Sequence, residues 1–88
     1  MYKLAVKEGL DKKFKKLKKK DKELLRIIHR KVQDILEDPN RFKPLKKPLQ
    51  NKRRVHTGGP FVLIFETNEE KKMVTLLDFD HHDNIYKT

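Results

Sequence analysis

The feature that most constrains this fold is the run Phe61-Val62-Leu63-Ile64-Phe65, an unbroken apolar stretch with turn-forming residues on both sides, Thr57-Gly58-Gly59 before it and Thr67-Asn68-Glu69-Glu70 after it. Such a run reads as a strand covered on both faces, and its simplest place is the centre of a sheet. Consecutive glycines permit positive φ, so the first bracket is a turn. Lys52–His56 then supplies the strand before the turn, and Met73-Val74-Thr75-Leu76-Leu77 supplies the strand that returns after the second bracket. The three form an antiparallel meander.

The N-terminal half has to cover that sheet. Tyr2-Lys3-Leu4-Ala5-Val6-Lys7 alternates enough to be a strand. Leu10, Phe14 and Leu17 recur at helical spacing through a lysine-rich segment, giving a short helix with a narrow apolar stripe. Asp21 is placed to cap a second helix, whose apolar face is Leu24, Leu25, Ile28, Val32, Ile35 and Leu36 and which Pro39 ends. Residues 40–50, with Pro44 and Pro48, read as an ordered loop. The expected fold is α+β in the order β-α-α-β-β-β, a helical hairpin packed on a mainly antiparallel twisted sheet that the N-terminal strand also joins. Residues 1–88 make one domain, with a core just large enough to be stable alone.

No stretch approaches the roughly 20 apolar residues of a membrane span, and the N-terminus has no apolar signal core, so a cytoplasmic protein with no membrane association is expected. The absence of cysteine excludes disulfides and thiolate metal sites. Charge is distributed unevenly: residues 1–54 carry 20 Lys/Arg against 7 Asp/Glu, whereas residues 55–88 carry 3 against 6. A basic field concentrated in this way draws the protein towards polyanions.

Alternation along Lys52-Arg53-Arg54-Val55-His56 puts Lys52, Arg54 and His56 on one face, two fixed cations and one titratable ring. Arg53 shares the other face with Val55, where its stem can lie along the edge of the core. The ending Asp80-His81-His82-Asp83-Asn84-Ile85-Tyr86 adds imidazoles and a phenol, groups able to move protons in phosphodiester chemistry. Together they raise the question of a nuclease. Plainer readings exist: Lys52 and Arg54 as edge-strand charges that discourage sheet-to-sheet association, Tyr86 as a ring packed on the sheet, and Phe61 and Phe65 as core. His29 falls on the polar side of the second helix and reads as surface. No metal site is expected, because adjacent histidines on an extended chain point to opposite faces and structural zinc takes four protein ligands.

The order of elements, the phrase Arg41-Phe42-Lys43-Pro44-Leu45, the segment Arg54-Val55-His56-Thr57-Gly58-Gly59-Pro60-Phe61 and the ending His81-His82-Asp83-Asn84-Ile85-Tyr86 resemble the RelE family of toxins, particularly its archaeal members. The resemblance covers nearly the whole chain. It implies a RelE-like fold and a ribosome-dependent endoribonuclease that cleaves mRNA in the A site without metal or cofactor. It also implies a RelB-type antitoxin, acidic and helical, with the toxin alone a monomer and the complex a heterotetramer.

Carried onto this chain, the resemblance makes Lys52 and Arg54 phosphate stabilisers, His82 or His56 the proton donor, and Tyr86 a positioning or base residue. His56 and His82 stand where many members have arginine. Lys15, Lys16, Lys19, Lys47 and Arg53 are the expected RNA contacts of the basic field. Asp80 and Asp83 are placed to orient the imidazoles. Many relatives also carry an arginine just after the turn, where Phe61 or Val62 stands here, with Arg53 the nearest cation in sequence to substitute for it. The departure keeps two alternatives open, a ParE-like gyrase inhibitor on the same fold and a non-catalytic RNA- or ribosome-binding protein.

Overall fold

The computed structural model describes residues 1–46 and 51–85. In chain order they form strand β1 (Lys3–Val6), helix α1 (Glu8–Lys20), helix α2 (Lys22–Glu37), a single 3₁₀ turn (Pro39–Arg41), strands β2 (Lys52–Gly58), β3 (Phe61–Asn68) and β4 (Met73–His81), and a short helix α3 (His82–Ile85). The sheet order is β1-β4-β3-β2. β4 is antiparallel to β3 and β3 to β2, while β1 lies parallel to β4.

Asp21 makes the helical hairpin. Its φ of −150° breaks the helix, its backbone N–H donates to the Leu17 carbonyl at 2.8 Å, and its carboxylate accepts from the Leu24 N–H at 3.0 Å. One residue thus closes α1 and opens α2, as a capping aspartate at that position should. Lys18, Lys19 and Lys20 fill the last turn of α1, where the helix dipole favours cations. α2 stops at Glu37, and Pro39 is buried in the following turn.

The core lies between the hairpin and one face of the sheet. Leu10, Leu24, Ile28, Val32, Ile35 and Leu36 pack against Val55, Leu63, Phe65, Val74, Leu76 and Phe79. Phe65 is fully buried and meets the Phe42 ring edge-on at 5.8 Å. Leu76 and Phe79 are three residues apart, which on a regular strand would send them to opposite faces. The pairing slips at this point: Phe65 faces Leu76 and Ile64 faces Asp78, so Leu77 bulges out and both apolar side chains reach the core.

Several boundaries exceed the expected ones. β3 and β4 run on to Asn68 and His81, because the turn is displaced to residues 69–72, where Lys72 adopts a left-handed φ of 50°. β2 continues through Gly58, leaving Gly59 at φ 53° to turn the chain. Residues 82–85, expected as extended chain, are helical, which overturns the opposite-faces argument for His81 and His82. The outer edge of β2 is also paired: Leu45 N–H donates to the Lys52 carbonyl at 2.8 Å and Arg54 N–H to the Lys43 carbonyl at 3.1 Å. A covered edge leaves Lys52 and Arg54 little to do as guards against sheet extension. Among the described residues no helix is long and apolar enough to cross a membrane.

Candidate active site

The sheet face opposite the hairpin carries the polar groups. Lys52, Arg54 and His56 alternate with the core-facing Val55, and across the ladder they pair with Glu66, Ile64 and Val62. β3 in turn sets Val62 beside Asp80 and Ile64 beside Asp78. Val62 and Ile64 are 0% and 6% exposed although they face away from the helices. The site therefore has an apolar floor with charged strands on both sides, and α3 packs against β3 and β4 at its end. Lys52 and Arg54 are half-buried and His56 is exposed.

α3 brings the second imidazole. The His82 N–H donates to the Pro60 carbonyl at 2.7 Å, which ties the helix to the β2–β3 turn. The His82 ring then lies nearly parallel to that of His56, with 6.3 Å between centroids and 16° between planes. Asp83 lies 3.6 Å from Nδ1 of His82 and 3.7 Å from Nδ1 of His81. Nδ1 of His81 accepts the Asp83 N–H at 3.1 Å, and its ring meets Phe61 edge-on at 6.1 Å.

Asp80 anchors the segment. Its Oδ1 accepts from Asn84 Nδ2 at 3.1 Å and from the His81 N–H at 2.7 Å, and Lys13 Nζ lies 3.7 Å from its Oδ2. These hydrogen bonds, the one from Asn84 foremost, hold its carboxyl below the usual aspartate range.

Of the residues expected to act, the structure brings Lys52, Arg54, His56 and His82 to one face. Arg53 is turned the other way, and its Nη1 donates to the Phe42 carbonyl at 2.6 Å and the Asn40 carbonyl at 3.5 Å. It clamps the loop before β2. Of the two residues after the turn, only Val62 faces the site, between His56 and Asp80; Phe61 stacks on Phe79 with centroids 5.5 Å apart. Lys15, Lys16 and Lys19 are exposed on α1, on the hairpin side of the sheet, with Lys15 paired to Asp11 at 3.4 Å. Tyr86 and Lys47 lie outside the described residues. Among the described residues no group of three or more histidine and acidic side chains is arranged to hold a metal ion.

The residues that sequence reasoning missed are Asn84 and Lys13. An asparagine in a polar tail and one lysine among many carry no local signal.

Residues 4–86 match the model of the ParE toxin of the type II toxin–antitoxin system parDE. The chain belongs to the RelE/ParE family of type II toxins. The toxin is 45% identical over 87 residues to a Methanocaldococcus jannaschii protein bearing the toxin name RelE4, covering 99% of this chain and 93% of that one. It is 51% identical over 86 residues to an uncharacterized protein of Methanosarcina mazei, covering 98% of this chain and all of the other. Its fold matches the Mycobacterium tuberculosis toxin–antitoxin complex RelBE2, with a TM-score of 0.75 and 22% identity over 91% of this chain and 90% of that one. The RelE-like α+β fold expected from the sequence is therefore the one this toxin has.

Proposed function

We propose that the toxin is a ribosome-dependent endoribonuclease that cuts mRNA in the A site and so stops translation. The observation that carries this reading is the pair of imidazoles, His56 and His82, 6.3 Å apart on the face that also presents Lys52 and Arg54. RNA cleavage of this kind moves two protons and builds negative charge on one phosphate. The 2′-oxygen attacks phosphorus and loses its proton to a base; the bond to the 5′-oxygen breaks and that oxygen takes a proton from an acid. The products are a 2′,3′-cyclic phosphate and a free 5′-hydroxyl.

Two imidazoles at this separation serve the two oxygens of a single phosphate, one accepting and one donating. Lys52 and Arg54 offset the charge on the non-bridging oxygens, Arg54 with a fork that matches a phosphate. Tyr86 completes the reading as a positioning or base residue. Every proton and charge in the step has a side chain to carry it. Lys15, Lys16 and Lys19, on the other side of the sheet, serve affinity for the ribosome through its phosphates rather than the cleavage itself.

The partner in this reading is an acidic, helical antitoxin of RelB type, a reading supported by the fold's match to a chain of the toxin–antitoxin complex RelBE2. An apolar groove of about 380 Å³ between α1, α2, β1 and β4, lined by Leu4, Val6, Phe14, Leu25 and Val32 with Lys18 and the Lys15–Asp11 pair among its polar residues, fits an amphipathic segment with acidic groups placed for Lys18. Both partners belong in the cytoplasm, where ribosomes are.

A second reading follows from the family model, whose name is that of ParE, and from Phe61 or Val62 standing where the resemblance implies an arginine: poisoning of DNA gyrase. Mapping 5′ ends of an mRNA on programmed ribosomes separates the two. Cuts within the A-site codon that vanish with His82→Ala support the nuclease. Intact mRNA together with trapped gyrase–DNA complexes supports the other.

A further inference from the structure

The outer edge of β4 is paired with β1 from Met73 to Leu76, and among the described residues no strand lies beyond its last residues, Asp78–His81. One side chain takes that place. Lys13, from the middle of α1, donates to the Phe79 carbonyl at 3.1 Å and to Asp78 Oδ1 at 3.1 Å, and lies 3.7 Å from Asp80 Oδ2. One ammonium thus meets a strand edge that carries two aspartates, Asp78 and Asp80.

The consequence lies at the other end of Asp80. Its second oxygen accepts from Asn84 in the second half of α3 and from the His81 backbone. A four-residue helix cannot hold itself in water, since nucleation costs more than one turn of hydrogen bonds returns. Its position rests on its attachments, which include the Asn84–Asp80 bond and the His82 N–H to Pro60 bond. We infer that Lys13 is a positioning residue: through Asp80 and Asn84 it fixes α3, and with it the His82 imidazole over His56, although it touches neither ring. The inference rests on the nuclease reading for its catalytic consequence, but not for its structural one.

Lys13 is thereby set apart from the lysines around it. It is committed to β4, whereas Lys12 and Lys16 have no ion pair among the described residues. The ammonium meets three oxygens, and arginine keeps that positive charge and its N–H donors whereas methionine keeps neither.

Lys13→Met, Lys13→Arg and, as a control on the same helix, Lys12→Met are compared in two measurements on the full-length toxin. The first is NMR: exchange of the His82 amide and the ring-current shifts of the His56 and His82 ring protons. The second is single-turnover cleavage of mRNA on programmed ribosomes, read as a maximal rate and a half-saturating toxin concentration. Lys13→Met is expected to speed His82 amide exchange, shrink the ring-current shifts and lower the maximal rate by about 10- to 100-fold without changing the half-saturating concentration, as a reacting group held about 1 Å out of place would. Lys13→Arg restores all three, and Lys12→Met leaves the NMR signals as they were.

Unchanged amide exchange and ring shifts in Lys13→Met overturn the inference. So does a loss that falls on the half-saturating concentration alone, which would make Lys13 an ordinary RNA-binding residue. A wild-type toxin that cuts nothing overturns the nuclease reading instead, and the NMR arm still decides whether Lys13 holds α3.

Discussion

His56 on β2 and His82 on α3 lie ring over ring, 6.3 Å apart and within 16° of parallel, although 25 residues separate them in sequence. Both rings are exposed enough to reach a substrate and neither is part of the core. If they share one acid–base task, replacing either by alanine should lower the cleavage rate by about 10²- to 10⁴-fold. The double variant should be little worse than the poorer single one, since groups that act as a unit are not additive. Circular dichroism and thermal melting of all three should stay close to wild type. Additive losses would show that the rings act separately.

In the nuclease reading, affinity and chemistry sit on opposite sides of the sheet. Lys16 and Lys19 are exposed on α1, while Lys52 and Arg54 flank the imidazoles on the other face. Lys16→Glu and Lys19→Glu should weaken ribosome binding and reduce its salt dependence by about one unit of log–log slope for each phosphate no longer neutralised. The cleavage rate at saturating ribosomes should hold. For Arg54→Ala the opposite is expected: near-normal binding with a rate loss of about 10²- to 10³-fold, in line with removal of one transition-state donor. Filter binding across a salt series, paired with single-turnover rates, tests both.

Stability depends on a few large side chains. Phe65 is fully buried, lies on β3 beneath the hairpin and packs edge-on to Phe42. Phe65→Ala should cost about 3–5 kcal/mol. A domain of this length has only about 4–13 kcal/mol in all. The variant should therefore lie at the margin of folding, and Phe65→Leu should recover most of the loss. Urea denaturation of the three proteins checks the order. Asp21→Ala should cost about 1 kcal/mol, because it leaves the Leu24 N–H without its cap.

Much of this fold can be read locally. The apolar run of β3, the stripe of α2 and the cap at Asp21 each state their structure within a few residues, through one period or one hydrogen bond. The shared face of Lys52, Arg54 and His56 follows from alternation alone. What the sequence hides is non-local. The parallel pairing of β1 with β4 depends on partners about 70 residues apart. The length of β4 depends on Asp78 and Asp80, poor strand residues that are tolerated because Lys13 and Asn84 satisfy them. α3 has too few residues to show any period, and it decides where His82 goes. The commitment of Arg53 to the loop carbonyls appears only once that loop has folded back on β2.

The far end of the sheet holds a second ionic cluster, and its pH behaviour is predictable in sign. The Tyr2 hydroxyl donates to Glu69 Oε2 at 2.8 Å, Lys72 Nζ lies 3.2 Å from the same oxygen, and Asn40 Nδ2 donates to Oε1 at 3.3 Å. The bond from Tyr2, with those from Lys72 and Asn40, holds the Glu69 carboxyl below its ordinary 4.5. Each one's own bond to Glu69 raises the Tyr2 phenol above 10.0 and the Lys72 ammonium above 10.5. A carboxyl lowered on folding contributes stability that is present above its unfolded value and lost as pH falls through the folded one. A phenol and an ammonium raised on folding contribute stability that is present below their unfolded values and lost as pH rises through the folded ones. Glu69→Gln should therefore destabilise the toxin most between about pH 6 and 9. The difference from wild type should shrink below pH 4.5, as the carboxylate becomes protonated in both states. It should shrink again above pH 10.5, where Lys72 loses its charge and a Tyr2 phenolate would face Glu69. Glu69 and Lys72 are exposed and only the Tyr2 ring is half-buried, so high salt should flatten much of the profile. Urea midpoints of wild type and Glu69→Gln measured from pH 3 to 11, at low and high salt, test this; a constant offset across that range would mean that the cluster contributes through packing and not through charge.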